Sequence, residues 1–407
     1  MRTSLPVLED LGEIEGKSVL VRLDLNVPIG LDSSGRRVVT DDFRIRSCLP
    51  TLRWLTDHGA RITACSHLGR PDGAADARYD LQPVREVLDE MLPGVTLLEN
   101  LRFSPGEKGN DPAFVAQLVE GQDLYVNDAF GVCHRKDASV VGPPRFLPSA
   151  AGRLVEMEVS QLGSLLDAPK RPFVVIIGGA KVADKLGLLS ALARRADRLL
   201  IGGAMAFTFI SAIGDSSGAS LVDPSKLEAC RSLLQRNENI LLPVDFVAAA
   251  PGVELEKDDP SGLARDAPES GIELTGPDQI KIVGRSIPAG WTGYDIGPAT
   301  SELFREAVIE ASTVLWNGPM GVFEDRRFAE GTRVVAAAVA DCPGHTVIGG
   351  GDSVAAVHRY GFAGRIDHIS TGGGASLELL EHGDLPGLVA LRESWAGQSA
   401  ASSSGPG

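Results

Sequence analysis

The chain has 407 residues, 43% of them hydrophobic and 23% charged; one hydrophobic core stops growing below this length, so two domains are expected and general disorder is excluded. Its 54 acidic and 39 basic residues leave a net charge of −15, which argues against a nucleic-acid or anionic-membrane surface and requires any polyanionic ligand to meet a local basic patch. The cysteines Cys48, Cys65, Cys133, Cys230 and Cys342 are scattered and never form CxxC, so they read as reduced thiols. The start, MRTSLPVLEDLGEIEG, lacks the apolar core of a signal peptide, and no apolar run approaches the roughly 20 residues of a membrane span, so a cytoplasmic location is expected.

In the first half, the β-branched runs KSVLVRL, ARITACS and DLYVNDAF alternate with stretches of helical periodicity, which predicts an α/β fold of parallel sheets covered by helices. Basic residues fall beside strand ends and turns there: Arg22, Arg44, His67, Arg70, Arg102 and Arg135. The planar fork of arginine suits phosphate and carboxylate. Asp24 and Asn26 in DLNVP lie two apart on an extended chain, placed to hold hydroxyl groups. Each arginine alone reads more readily as a solvated surface charge; their grouping at strand ends favours an anion site. AGRLVEMEVSQLGSLLD at 151–167 reads as a helix and APKRP as a connector, which puts the domain boundary near Pro169.

In the second half PFVVIIGGA, ADRLLIGGA, STVLWNGP and HTVIGGG are hydrophobic strands that run straight into glycine or Asn-Gly-Pro. Ligands of open parallel sheets bind beyond the carboxyl ends of the strands, so these ends imply one large ligand site. In GGAKVADK at 178–185, Lys181 and Lys185 are spaced by one helical turn and would face one anion. The alternative is a glycine turn that merely packs helix on sheet, and no GxxxxGK[ST] loop occurs. WNGPMGVFE at 316–324 offers a flat hydrophobic wall, a rigid turn and Glu324 for a nucleoside. IGGGDS at 348–353 sets Asp352 after glycines, as a magnesium ligand or an ordinary N-cap. The end, GQSAASSSGPG, is too poor in apolar residues to fold, so 397–407 is expected to be disordered.

VRLDLNVP, SHLGRP, ENLRF, NDAFGVCHR, GGAKVADK, DIGPAT, WNGPMGVFE, GGGDS and STGGGASLELL, in this order over about 380 residues, resemble the phosphoglycerate kinase family. The resemblance implies two Rossmann-like lobes joined by the 151–167 helix as a hinge: residues 1–168 bind the phosphoglycerate, 169–375 bind the nucleotide, and 376–396 pack back on the first lobe. It implies reversible phosphoryl transfer from 1,3-bisphosphoglycerate to ADP, giving 3-phosphoglycerate and ATP, by a monomer that closes its lobes over the substrates.

Matched motif by motif, Asp24, Asn26, Arg44, His67, Arg70, Arg102 and Arg135 would contact the glycerate. Arg44, Lys181, Gly373 and Gly374, with Gly372, would serve the transferred group. Gly179, Ala180, Lys181, Lys185, Gly202, Gly203, Asn317, Pro319, Glu324, Gly350, Gly351, Asp352 and Ser353 would line the nucleotide site, with Asp352 nearest Mg2+. Val132, Cys133, Ala204, Thr292 and Tyr294 depart from the family's usual residues, which leaves open a kinase of the same fold for another small phosphorylated carboxylic acid. A non-catalytic nucleotide-binding protein is the remaining alternative, although Arg44, Lys181 and Asp352 are all present.

Overall fold

The computed structural model describes residues 5–256 and 279–403, with the backbone alone for 397–403. The chain divides into two compact units, Met1–Ser160 with Gly374–Gly407 and Gln161–Gly373. The first division falls inside the helix Arg153–Asp167 and the second at the start of the helix Gly374–His382.

The first unit is built on a five-stranded sheet in the order Thr96–Leu97, Arg61–Cys65, Ser18–Leu23, Leu124–Asp128, Ser149–Ala151, every pair parallel. In Ser18–Leu23 the residues Val19 to Leu23 are all buried, as expected of a central parallel strand covered on both faces. Val19, Val21 and Leu23 pack in one core with Leu52 and Leu55 of the helix Phe43–Asp57 and with Val84 and Leu88 of the helix Gln82–Met91. Strand order reverses at Ser18–Leu23, with later strands added on its other side, so the topological switch point lies between it and Leu124–Asp128.

The C-terminal helix Pro386–Ser403 packs against the short helix Ala138–Val141, and Ala390 joins Ala129, Val132, Val140 and Val141 in a small core. Its backbone is helical as far as Ser403, into the segment expected to be disordered. The expectation for 404–407 lies outside the described residues.

The second unit carries a six-stranded parallel sheet in the order Ile240–Leu241, Arg198–Ile201, Phe173–Ile177, Thr313–Asn317, His345–Gly349, His368–Ile369. Its switch point lies between Phe173–Ile177 and Thr313–Asn317. A three-stranded antiparallel sheet, Ile280–Gly284, Asp245–Ala249 and Thr292–Ile296, is an addition that the sequence reading does not contain.

Trp316 is fully buried among Val174, Ile176, Val314, Phe304 and Ile348, and its indole N–H donates to Gly318 O at 2.7 Å. It is therefore core rather than the exposed wall expected for a nucleoside. Thr313–Asn317 is a central strand, and neither of its faces meets solvent.

Candidate active site

In the first unit the expected glycerate residues all follow the carboxyl ends of parallel strands or sit where the chain returns to them. Asp24 and Asn26 leave Ser18–Leu23, His67 and Arg70 leave Arg61–Cys65, Arg102 lies in the turn Leu101–Phe103, and Arg135 follows Leu124–Asp128. Hydrogen bonds tie these loops together: Gly69 N donates to Asn26 Oδ1 at 2.8 Å, and Arg102 donates to Gly69 O at 2.7 Å. Gly69 has φ +62°, and a Cβ there would lie 2.3 Å from the Tyr79 ring, so only glycine fits.

Arg44, in the first turn of Phe43–Asp57, forms an ion pair with buried Asp24. Gly131 passes directly over this pair, since a Cβ on it would meet Asp24 Oδ2 at 2.4 Å. Burial opposes ionisation of Asp24, but the charges of Arg44 and Arg22 and the hydrogen bond from Asn26 N outweigh it and hold the carboxyl below its ordinary range. His67, 3% exposed, is pushed well below the ordinary imidazole value by burial and by Arg22, Arg102 and Arg135, against the pull of Asp24. It is neutral at pH 7.

Arg102 keeps buried Nε and Nη2 atoms without a protein partner, and so does Nε of Arg135. Buried donors left open in this way suit an anionic ligand that accepts from them. Arg70 and Asn26 are exposed on the same loops.

In the second unit three glycine loops interlock by backbone. Gly179 N donates to Pro319 O at 3.0 Å, Gly203 N to Met320 O at 3.1 Å and Gly178 N to Asn317 O at 2.8 Å. A Cβ on Gly203, at φ +65°, would sit 2.4 Å from Gly179 N, and one on Gly318, at φ +93°, 2.4 Å from Gly178 O. Ala180 and Lys181 follow these glycines as exposed residues, and Gly202 is buried against Met320.

Lys185 is half-buried and donates to Gly178 O at 2.8 Å and to Asn317 Oδ1 at 2.9 Å. Burial lowers its pKa to about 8, with Asp352 acting in the opposite sense. Nδ2 of Asn317 has no protein partner and is buried, leaving a donor beside the loop of Gly350.

Lys181 precedes the turn Ala183–Lys185, and the helix starts only at Leu186. The two lysines therefore do not share a helical face, as their spacing suggested; the chain makes a tight turn between them. Asp352 is exposed in the first turn of Gly351–Arg359, whose N-cap is Gly350 at φ 89°. That removes the N-cap reading of Asp352. Ser353 is buried and accepts from Gly318 N, which ties this helix start to the Asn-Gly-Pro loop. Glu324 is exposed after the same loop, while Gly373, at φ +48°, and Gly374 lead into Gly374–His382.

Comparison with known proteins bears on both units at once. The family description "Phosphoglycerate kinase" matches residues 8–96 and 93–383. The chain belongs to the phosphoglycerate kinase family. The phosphoglycerate kinase of Rubrobacter xylanophilus is 48% identical over 405 residues, which cover 94% of this chain and 97% of that one. That of Moorella thermoacetica is 46% identical, over 95% and 98%. Among solved structures, phosphoglycerate kinase from Coxiella burnetii superposes with a TM-score of 0.82 at 32% identity, over 96% of this chain and 99% of that one. The Pyrococcus horikoshii OT3 enzyme gives 0.78 at 31%, over 96% and 100%.

Departures from the family's usual residues point into packing. Val132 and Cys133 beside Arg135 are 2% and 0% exposed. Val132 lies in the small core with Ala390, and a Cβ on Gly387 of the C-terminal helix would approach Cys133 Sγ to 3.2 Å. Ala204 packs against the cluster around Phe207, and Tyr294 lies against Phe328 with ring centroids 4.8 Å apart. Sequence reasoning missed three contributors to the first site: the burial of Arg22, its link through Ser139 to Glu107, and Gly131. Only Gly131 had a signal, as the small residue inside NDAFGVCHR.

Proposed function

We infer that this chain catalyses the reversible transfer of a phosphoryl group from 1,3-bisphosphoglycerate to ADP, giving 3-phosphoglycerate and ATP. The observation that carries the reading is its family membership over nearly the whole length, with 48% identity to the phosphoglycerate kinase of Rubrobacter xylanophilus.

Asp24, Asn26, Arg44, His67, Arg70, Arg102 and Arg135 would bind the glycerate and its phosphate. Open donors on Arg102 and Arg135 give that reading its physical support. Gly179, Ala180, Lys185, Gly202, Gly203, Asn317, Pro319, Glu324, Gly350, Gly351, Asp352 and Ser353 would line the nucleotide site. Backbone loops without side chains let phosphates approach the main chain, and the Lys185 ammonium adds a fixed charge.

Phosphoryl transfer needs in-line positioning and stabilisation of oxygen charge. An acyl phosphate leaves as a carboxylate, which needs no general acid, so no side-chain nucleophile or proton donor is required. Arg44, exposed Lys181 and the amides of Gly372, Gly373 and Gly374 are the proposed stabilisers of the transferred group.

Mg2+ fits as an ion carried with the nucleotide. Asp352 presents an exposed carboxylate at a helix start, and no group of three or more acidic, His or Cys side chains that could hold a metal occurs among the described residues. Bound there, the ion would neutralise phosphate oxygens. We also infer a cytoplasmic, monomeric enzyme; among the described residues no helix is long and apolar enough to cross a membrane.

The test is a coupled assay of the purified chain with ATP and 3-phosphoglycerate, with and without magnesium. Turnover with 3-phosphoglycerate at rates typical of kinases, about 1–100 s⁻¹, is expected. No turnover with 3-phosphoglycerate, alongside turnover of another phosphorylated acid, would transfer the chain to a different substrate.

A further inference from the structure

Arg22 is fully buried, an unusual place for a guanidinium, which is costly to desolvate without partners. Its Nε donates to Ser139 Oγ at 2.8 Å, and a second nitrogen donates to the carbonyl of Leu23. Its Nη2 lies 3.2 Å from Nδ1 of His67. Ser139 in turn gives both its donors to Glu107: Oγ to Oε1 at 2.6 Å and N to Oε2 at 2.9 Å. Glu107 and Ser139 are both 0% exposed, and the Tyr125 hydroxyl donates to Ser139 O at 2.7 Å. Buried cation and buried carboxylate are thus joined through one serine hydroxyl, which accepts from the first and donates to the second.

The chemistry of this chain has a direction. Arginine can only donate, so Nδ1 of His67 must accept, and a neutral His67 then carries its proton on Nε2. We propose that Glu107 and Ser139 are positioning residues for the glycerate site, holding Arg22 so that it fixes His67 as the Nε2–H tautomer, a hydrogen-bond donor suited to an anionic substrate. This rests on the reading of His67 as a glycerate-side residue. Neither Glu107 nor Ser139 is placed to touch substrate. Without the serine hydroxyl, Arg22 loses its Nε acceptor and its screened counter-charge, and it has no reason to keep its aim at Nδ1.

Nitrogen-15 NMR of the imidazoles in the full chain, at about pH 7 and without ligand, reads the tautomer. The His67 signal is identified as the one missing from a His67→Gln sample. In the wild type the proton is expected on Nε2; a proton on Nδ1, or a doubly protonated ring, overturns the proposal. Ser139→Ala deletes one oxygen from the short helix Ala138–Val141, which alanine tolerates. In it the His67 signal should shift towards mixed tautomers. Its KM for 3-phosphoglycerate should rise about tenfold while kcat and the KM for ATP stay within about twofold, the scale of one lost hydrogen bond to a charged group.

Ser139→Thr, which keeps the hydroxyl, should restore both readings. Glu107→Gln should change them in the same direction as Ser139→Ala. A folded Ser139→Ala protein with the wild-type tautomer and wild-type KM would show that the serine is merely structural, and the proposal would fail. If the wild-type chain does not turn over 3-phosphoglycerate, the functional reading fails while the spectrum still decides the tautomer.

Discussion

The Lys185 ammonium joins two loops by donating to Asn317 Oδ1 at 2.9 Å and to Gly178 O at 2.8 Å, so one half-buried cation serves the ends of both strands that flank the switch point of the second sheet. Because burial lowers its pKa from 10.5 to about 8, its charge is present at neutral pH and is lost within the mildly alkaline range. ADP affinity should therefore weaken as pH rises through about 8, and Lys185→Arg should remove that dependence. For the free protein the sign is opposite. The unfolded chain holds the proton up to about pH 10.5, so stability should rise between about pH 8 and 10.5. Calorimetric titration with ADP across this range checks the first statement; an affinity that does not change with pH removes Lys185 from the phosphate site.

Asp352 lies in the first turn of its helix, and Gly350 is the cap, so Asp352→Asn separates a metal role from helix stabilisation. Loss of the carboxylate near the helix dipole should cost at most about 1 kcal/mol of stability. Binding of magnesium-ADP should fall about tenfold or more, with metal-free ADP much less affected. Equal binding of magnesium-ADP by variant and wild type would falsify the metal assignment.

Lys181 is exposed and should contribute little to folding. Lys181→Ala is expected to lower kcat on the order of a hundredfold or more while the melting temperature stays near that of the wild type. Steady-state kinetics with both substrates would expose an error if only KM moved.

Gly203→Ala forces a Cβ to within 2.4 Å of Gly179 N at φ +65° and should cost on the order of 1–3 kcal/mol, with weakened ADP binding. Gly351→Ala meets nothing within 4 Å and opens a helix, so its stability should change by no more than about 0.5 kcal/mol. Urea denaturation of both variants makes the comparison, and equal losses would contradict the steric account.

Asp128 is a buried carboxyl that accepts from Leu154 N at 2.9 Å, and burial raises its pKa to about 7. The folded chain thus holds a proton there that the unfolded chain releases near pH 3.8, so this group's contribution to stability declines as pH rises from about 4 to about 7. Asp128→Asn should flatten that part of the stability profile. Melting curves at pH values spanning this window provide the measurement, and an unchanged profile rules the assignment out.

Both parallel sheets were legible because their central strands, such as Phe173–Ile177, are unbroken apolar runs that end in glycine. The antiparallel strands were not. Ile280–Gly284 alternates only weakly, and it pairs with Asp245–Ala249 across a long stretch of chain. The charged residues of both sites were legible as types but not as contacts. Arg22 and Ser139 lie 117 residues apart, and nothing local to either announces the other. Trp316 was misjudged because a motif gives spacing, whereas the face a residue presents depends on which strand is central.

The interlocked glycines of the second unit bear on the entropy of binding. A wall made of main chain at Gly178, Gly203 and Gly318 has no rotamers to freeze when phosphates settle against it, whereas each rotamer-rich side chain that becomes ordered costs about 0.5–1.5 kcal/mol. That cost falls instead on the exposed Lys181, Glu324 and Asp352. The immobile part of the surface is the part proposed to meet the phosphates, and the part that must be ordered anew at each turnover is the part proposed to handle the metal, the nucleoside and the group in flight.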